Sequence, residues 1–327
     1  MEIFRETDSA SGAAIEALRN GSALTIGNFD GIHLGHREIL ARVHKWSGEL
    51  KVPSVVMTFD PHPRKVLSSP AGLRLITDNR SKCGIFDMLE VDYMLIVEFT
   101  REFASLAPMD FIEKWLMPLS PRAIVVGYDF NFGRGGAGSL ETLEKEGARS
   151  NFSVEMVPAY KVEGVSVSSS RIRNLIEAGE VAMAEKFLGR PFSVYGQVIK
   201  GHGRGRKLGF PTANINVAAE LLPCDGVYAA EVALEDGVHA AMLNIGSNPT
   251  FEDMARSVEA CILDFDRDMY GMEVEARFRE RIRSEIKFPG PDALIEQINQ
   301  DKKAIERFFQ KHGKSSPLVI SSSCESV

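Results

Sequence analysis

The stretch TIGNFDGIHLGH, residues Thr25 to His36, closes the short apolar run Ala23-Leu24-Thr25-Ile26. It opens a segment in which Ile39, Leu40, Val43 and Trp46 recur at helical spacing. Open parallel sheets bind ligands at such a junction, outside the carboxyl end of a strand. Gly27, Gly31 and Gly35 are expected to let the backbone approach a ligand and adopt conformations closed to other residues. The helix start offers free N–H groups and the positive end of the helix dipole, which suits phosphate. His33 and His36 are three residues apart, so both rings can face one ligand. Imidazolium donors there would stabilise charge on a phosphate as it changes partners. A histidine pair at this spacing also occurs at ordinary helix starts. Its weight here comes from the strand, glycine and helix around it.

Working outward, strands are predicted at Ser54–Phe59, halted by Pro61 and Pro63, and at Tyr93–Val97, Ala123–Val126 and Val154–Val157. Helical patterns fall around Cys83–Leu89 and Phe111–Leu116. This alternation predicts a parallel sheet covered by helices. Ser168 to Leu188 reads as two helical pieces separated by Gly179, and Gly189-Arg190-Pro191 ends them. Beyond that point the strands are short and broken by Gly, Pro, Asn and Asp: Val194–Ile199, Val227–Ala233, Ala240–Ile245, Val258–Leu263 and Glu273–Phe278. They predict an antiparallel sheet or small barrel, followed by a helix from Pro291 to about Lys311. The expected division is a first domain over 1–188, a second over 189–312, and a Ser-rich disordered tail over 313–327.

A chain of 327 residues is long enough for two such domains. Its 38 Lys and Arg against 45 Asp and Glu leave a net charge of −7, which excludes a general basic field for nucleic acid. The first residues, MEIFRETDSASGAAIEAL, do not follow the basic-then-apolar pattern of a signal peptide. No run of about 20 apolar residues predicts a membrane span. Cys83, Cys224, Cys261 and Cys324 are far apart and form no CxxC pair, so neither a zinc site nor a disulfide framework is expected. The expectation is a reduced, cytoplasmic enzyme with no nucleic-acid or membrane partner. The sequence sets no oligomeric state.

Three further segments carry chemistry. Asp129 follows a predicted strand inside the Gly-rich string VVGYDFNFGRGGAG, Val125 to Gly138. It suits contact with ribose, metal or phosphate, and equally the capping of a turn. In VSSSRIR, Val167 to Arg173, at least one of Ser168, Ser169 and Ser170 is expected to cap a helix. The same hydroxyls suit a phosphate, which Arg173 would neutralise. In GQVIKGHGRGRKLGFPTANI, Gly201, Gly203 and Gly205 alternate with His202, Arg204 and Arg206, and Lys207 adds charge. Thr212 and Asn214 then offer a hydroxyl and an amide oxygen on one face of a strand, hard donors that suit Mg²⁺ beside substrate phosphates. A basic loop for RNA is the alternative, but it has no aromatic stacking platform with it.

GNFDGIHLGH resembles the HxGH nucleotidyltransferases, and in its longer form the adenylyltransferase domain of bacterial bifunctional riboflavin kinase/FAD synthetases. TFDPHP (Thr58 to Pro63), VDYMLIVEFTREFASL (Val91 to Leu106), VVGYDFNFGRGGAG and VSSSRIR are similar to that family's following motifs, in order. KGHGRGRKLGFPTAN resembles the flavokinase signature, with DGVYAAEV, NIGSNPTF, VEACILDFDRDMYG and LIEQINQD after it. The resemblance implies a Rossmann-like α/β nucleotidyltransferase domain followed by a β-barrel kinase domain with a C-terminal helix. It implies ATP-dependent conversion of riboflavin to FMN, then transfer of AMP to FMN, with Mg²⁺, ATP and flavins as the only small molecules.

By residue, it implies catalytic roles for His33, His36, Asp129, Arg173 and Glu259, the last as the base for the riboflavin 5′-hydroxyl. It implies nucleotide contacts from Gly27, Phe29, Gly31, Ser169, Ser170, Gly201, Gly203, Arg204, Gly205, Thr212 and Asn214, with Thr212 and Asn214 holding Mg²⁺. Without the resemblance Glu259 reads as an edge-strand carboxylate paired with a surface cation. Asn131, where many relatives carry a basic residue, and Ala260-Cys261 after Glu259 depart from the family pattern.

Overall fold

The computed structural model describes residues 1–6, 12–68, 72–201, 209–247 and 256–315. The chain forms two compact units, the first Met1–Ser168 and the second beginning at Ser169.

The first unit runs β1 (Glu2–Glu6), α1 (Gly12–Leu18), β2 (Ser22–Ile26), α2 (Leu34–Leu50), β3 (Ser54–Asp60), α3 (Pro63–Leu67), α4 (Asn79–Met88), β4 (Tyr93–Glu98), α5 (Arg101–Ala104), α6 (Pro108–Phe111), β5 (Pro121–Gly127), α7 (Leu140–Ser150) and β6 (Ser153–Val157). A small hairpin, β7 (Lys161–Val162) and β8 (Val165–Ser166), follows. Strands β1 to β6 form one sheet in the order β1-β4-β3-β2-β5-β6, with every pair parallel. All five predicted strands are present. The edge strand β1 was not predicted, because EIFRE mixes charge with apolar residues and lacks the long apolar run of a buried strand.

Period-two alternation explains how the sheet is sandwiched. Leu24, Ile26, Val55, Met57, Leu95, Val97, Ile124 and Val126 form one core with Ala14 and Leu18 of α1, Leu143 of α7 and Trp115. The intervening Val56, Met94 and Ile96 meet Leu40 of α2 and Cys83 and Phe86 of α4. Ala23 and Val125 meet Ile39 and Val43 of α2. The helix predicted over Phe111–Leu116 is two pieces, α6 and then a π-helical turn, Ile112–Leu116, that buries Ile112, Trp115 and Leu116.

The second unit runs α8 (Ser169–Ala178), α9 (Val181–Leu188), β9 (Phe192–Ile199), β10 (Ala213–Val217), β11 (Gly226–Leu234), β12 (Gly237–Ser247), β13 (Arg256–Ile262), β14 (Glu273–Arg283) and α10 (Pro291–His312). The six strands close into a barrel in the order β10-β13-β12-β11-β14-β9, all antiparallel. Closure removes the sheet edges. Gly196 permits the β9–β10 approach, since a Cβ there would lie 2.4 Å from the Asn216 carbonyl oxygen.

Helix α10 covers one outer face of the barrel, with Ile305 buried against Val227, Ala229, Met242 and Cys261. Arg283 of β14 holds Asp301 of α10 through Nε, 2.9 Å to Oδ2, and Nη2, 2.8 Å to the same oxygen. Gln297 donates to Asp301 Oδ1 at 2.9 Å. Nearby, the buried Glu231 accepts from Arg279 and from the Ser315 hydroxyl and backbone N–H. Ser315 also accepts from Arg277 Nη1 at 3.0 Å, and Arg277 pairs with Glu275. Arg279 reaches Glu185 of α9 as well.

Candidate active sites

In the first unit the chain leaves β2 for β3 and β4 on one side and returns to β5 and β6 on the other. The crevice outside β2 and β5 is therefore the topological switch point, where open α/β sheets bind ligands. The loop from Gly27 to His33 leaves β2 there, and the loop from Tyr128 to Ser139 leaves β5.

The first loop is more strained than its glycines suggest. Gly31 takes a positive φ of 87°, and the non-glycine residues Phe29 and Ile32 do so too, at 48° and 40°. Each such residue costs on the order of 1 kcal/mol or more. Burial of both side chains, 1% and 0% exposed, offsets this. The expectation that Gly27 and Gly35 also adopt closed conformations is corrected: neither has positive φ, and both serve by lacking a side chain. A Cβ on Gly27 would meet the Phe29 ring at 3.2 Å, and one on Gly35 would meet the His33 ring at 3.2 Å.

His33 is the N-cap of α2, and its Nδ1 accepts the His36 backbone N–H at 3.3 Å. That bond places the imidazole proton of the neutral ring on Nε2. The His33 and His36 rings stack, 3.7 Å apart and 11° from parallel, and Phe29 meets His36 edge-on at 5.1 Å. The first turn of α2 has no acidic residue, so its dipole is left for an anion.

Four side chains to which the sequence reading gave no role brace this loop. Asp30 Oδ1 accepts the N–H groups of Ile76 at 2.9 Å and Thr77 at 3.2 Å. Thr77 Oγ1 accepts the Gly31 N–H at 3.0 Å. The Asn28 carbonyl accepts from Thr58 Oγ1 at 3.3 Å and from Lys82 Nζ at 3.2 Å. Lys82 on α4 is 3% exposed. Burial pushes its ammonium down from the ordinary lysine range, opposed by Asp30, Asp60 and Asp78. In TFDPHP, His62 caps α3 by accepting the Arg64 N–H at 3.1 Å.

Asp129 lies exposed just beyond β5, where Phe130 N–H bonds to the Gly127 carbonyl. The Asn131 side chain donates to the Asp129 carbonyl at 3.0 Å. Arg173 is buried on α8, one residue beyond Ile172, while Arg171 is exposed. Ser169 and Ser170 form the first turn of the same helix.

In the second unit, register brings together residues far apart in sequence. Asn214 on β10 is opposite Glu259 on β13, and Glu259 is opposite Asn244 on β12. Cross-strand partners share a face, so a carboxylate is flanked by two amide side chains. This face continues the outer one that α10 covers, since Met242 and Cys261, two residues from Asn244 and Glu259, pack against Ile305. Phe210 of the GFPTAN segment packs there too. A Cβ on Gly201 would overlap the Asn214 amide, 1.9 Å from Nδ2, so any side chain there would have to displace that amide. Gly203, Arg204 and Gly205 lie outside the described residues. Asn244, missed in the sequence, is found only through strand register.

The FAD synthetase family model matches residues 15–171 and the riboflavin kinase family model residues 188–309. A bifunctional riboflavin kinase/FMN adenylyltransferase of Listeria monocytogenes is 38% identical over 291 residues, 88% of this chain and 92% of that protein. That of Escherichia coli is 35% identical over 296 residues, 90% of this chain and 95% of that protein. A solved structure described as a macrolide-efflux protein from Streptococcus pneumoniae aligns with a TM-score of 0.84 at 30% identity, covering 94% of this chain and 99% of that one. Among the described residues no helix is long and apolar enough to cross a membrane. With both domains matched in order and identity sustained along nearly the whole length, the chain belongs to the bifunctional riboflavin kinase/FMN adenylyltransferase family.

Proposed function

We propose that this enzyme makes FMN and then FAD with two separate sets of side chains, one within residues 1–188 and the other within residues 189–312. The observation that carries the second step is the stacked His33–His36 pair at an uncompensated helix start on the switch point. There His33 Nε2–H and the His36 ring donate to the α-phosphate of ATP as the phosphate oxygen of FMN attacks it. The bond to the β-phosphate breaks and pyrophosphate leaves. Catalysis is positioning and charge stabilisation, with no covalent enzyme intermediate. Gly27, Phe29 and Gly31 shape the floor of this site, and Asp129 and the phosphate-binding Ser169, Ser170 and Arg173 take the roles their motifs imply. Ser169 and Ser170 fall within the matched FAD synthetase stretch and Arg173 just beyond it.

For the first step, Glu259 accepts the proton of the riboflavin 5′-hydroxyl as that oxygen takes the γ-phosphoryl group and ADP leaves. Gly201, Gly203, Arg204 and Gly205 contact the nucleotide. The donors Thr212 and Asn214 are neutral, hard oxygens, and the side-chain-free Gly201 leaves Asn214 room, which fits Mg²⁺. Thr212 and Asn214 would hold the ion, which when bound neutralises phosphate charge. We assign the adenylyltransferase to residues 1–188, ending with α8 and α9, and the kinase to 189–312. The partners are ATP and flavins, without nucleic acid or membrane, in the cytoplasm. A time course with riboflavin, ATP and Mg²⁺ tests this: FMN should appear first and FAD second, and FMN alone would overturn the two-step reading.

A further inference from the structure

Among the described residues Lys82 is the only buried lysine, and its ammonium is directed at a backbone carbonyl rather than at a surface partner. Its Nζ donates to the Asn28 oxygen at 3.2 Å, alongside Thr58 Oγ1 at 3.3 Å. The Asn28 carbonyl belongs to the peptide plane that leads into Phe29. Holding that plane constrains the φ of 48° at Phe29, a conformation that costs a residue with a side chain on the order of 1 kcal/mol or more. The Phe29 ring in turn meets both His36, at 5.1 Å, and Phe86 of α4, at 5.5 Å. Helix α4 thus grips the loop twice, through Lys82 on the backbone and Phe86 on the ring. Asp30, two residues past Asn28, is fixed by the Ile76 and Thr77 N–H groups and places negative charge near the ammonium.

We propose that Lys82 is a positioning residue for adenylyl transfer: its buried ammonium locks the Asn28–Phe29 peptide, so that Phe29 holds His36 in the stacked pair. This rests on the assignment of His33 and His36 to the transferring phosphate. Lys82 is buried and directed at the Asn28 carbonyl, so its loss is expected to misalign the pair rather than to remove a binding contact. A displacement of the rings by a fraction of an ångström is enough to slow such a step about tenfold or more.

The test compares Lys82→Met, Thr58→Val and His36→Ala in the full-length enzyme, measuring FAD formation from FMN and ATP, FMN formation from riboflavin, and folding by near-UV circular dichroism. For Lys82→Met, kcat of FAD formation should fall about tenfold or more while KM for ATP and FMN stays within about threefold, and FMN formation should be unchanged. Thr58→Val, which removes the other donor to the same oxygen, should lower kcat less, in the same direction. A folded Lys82→Met enzyme with wild-type kcat would overturn the proposal. If Lys82→Met does not fold, wild-type kcat in Thr58→Val would overturn it. His36→Ala separates the two readings: if it leaves FAD formation intact, the site assignment fails, whereas if it abolishes FAD formation while Lys82→Met does not slow it, only the role of Lys82 fails.

Discussion

The His33 ring sits between a backbone N–H and the His36 ring, accepting from the first at 3.3 Å and stacking on the second at 3.7 Å. Gly35 makes this possible, because an added Cβ would stand 3.2 Å from His33 Nδ1 and Cε1. Gly35 is within α2 and lacks positive φ, so alanine suits its backbone and favours the helix by up to about 1 kcal/mol. Gly35→Ala should therefore leave the melting temperature the same or higher while kcat for FAD formation falls several-fold. Thermal denaturation and a steady-state assay with FMN and ATP measure the two effects on one preparation.

The kinase site makes a metal-dependent prediction. Asn214→Ala removes an amide oxygen from the strand position facing Glu259. The Mg²⁺ concentration that half-saturates FMN formation should rise markedly, on the order of tenfold for the loss of one ligand interaction of about 1.4 kcal/mol. Its dependence in FAD formation should be unchanged. Titrating Mg²⁺ at fixed ATP in each assay checks both.

Charge burial on the barrel predicts a large stability effect. Glu231 is fully buried and receives Arg279 and Ser315. Glu231→Ala leaves the Arg279 guanidinium, 10% exposed, with Glu185 as its remaining carboxylate partner and should destabilise the barrel unit by up to about 3–5 kcal/mol. Ser315→Ala removes only a hydroxyl and should cost about 1 kcal/mol. Denaturant unfolding of the full chain, monitored through loss of FMN formation, gives the comparison.

The cysteines predict a labelling pattern. Burial pushes the Cys261 thiol up, only partly opposed by Lys302, so it stays neutral at pH values where an ordinary cysteine ionises. The neutral thiol is a poor nucleophile. In the folded protein at pH 8, iodoacetamide should modify the partly exposed Cys224 faster than the buried Cys83 or Cys261. Peptide mass spectrometry after a timed quench measures this, and equal labelling of Cys224 and Cys261 would contradict it.

What was legible in the sequence follows from where the information is local. Apolar runs such as Ser54–Phe59 and Tyr93–Val97 declare buried parallel strands, because both faces are covered. Glycine and histidine spacing declared the loop after β2. The strain at Phe29 and Ile32 was not legible, since those side chains say nothing local about positive φ; tertiary burial imposes it. Lys82 carried no local signal either: a lysine beside a predicted helix says nothing of burial, and it is the packing of α4 that turns it inward. Asn244 reached Glu259 through a barrel register set by strands that the sequence marks only as short runs between Gly, Pro, Asn and Asp.

The central claim is that each step has its own side chains, one set within residues 1–188 and the other within residues 189–312. One measurement tests it most directly: product time courses for the wild type, His36→Ala and Glu259→Ala, each given riboflavin, ATP and Mg²⁺ and, separately, FMN, ATP and Mg²⁺. His36→Ala should accumulate FMN without FAD, and Glu259→Ala should make FAD only when FMN is supplied. Loss of both activities from either folded single variant would contradict the account.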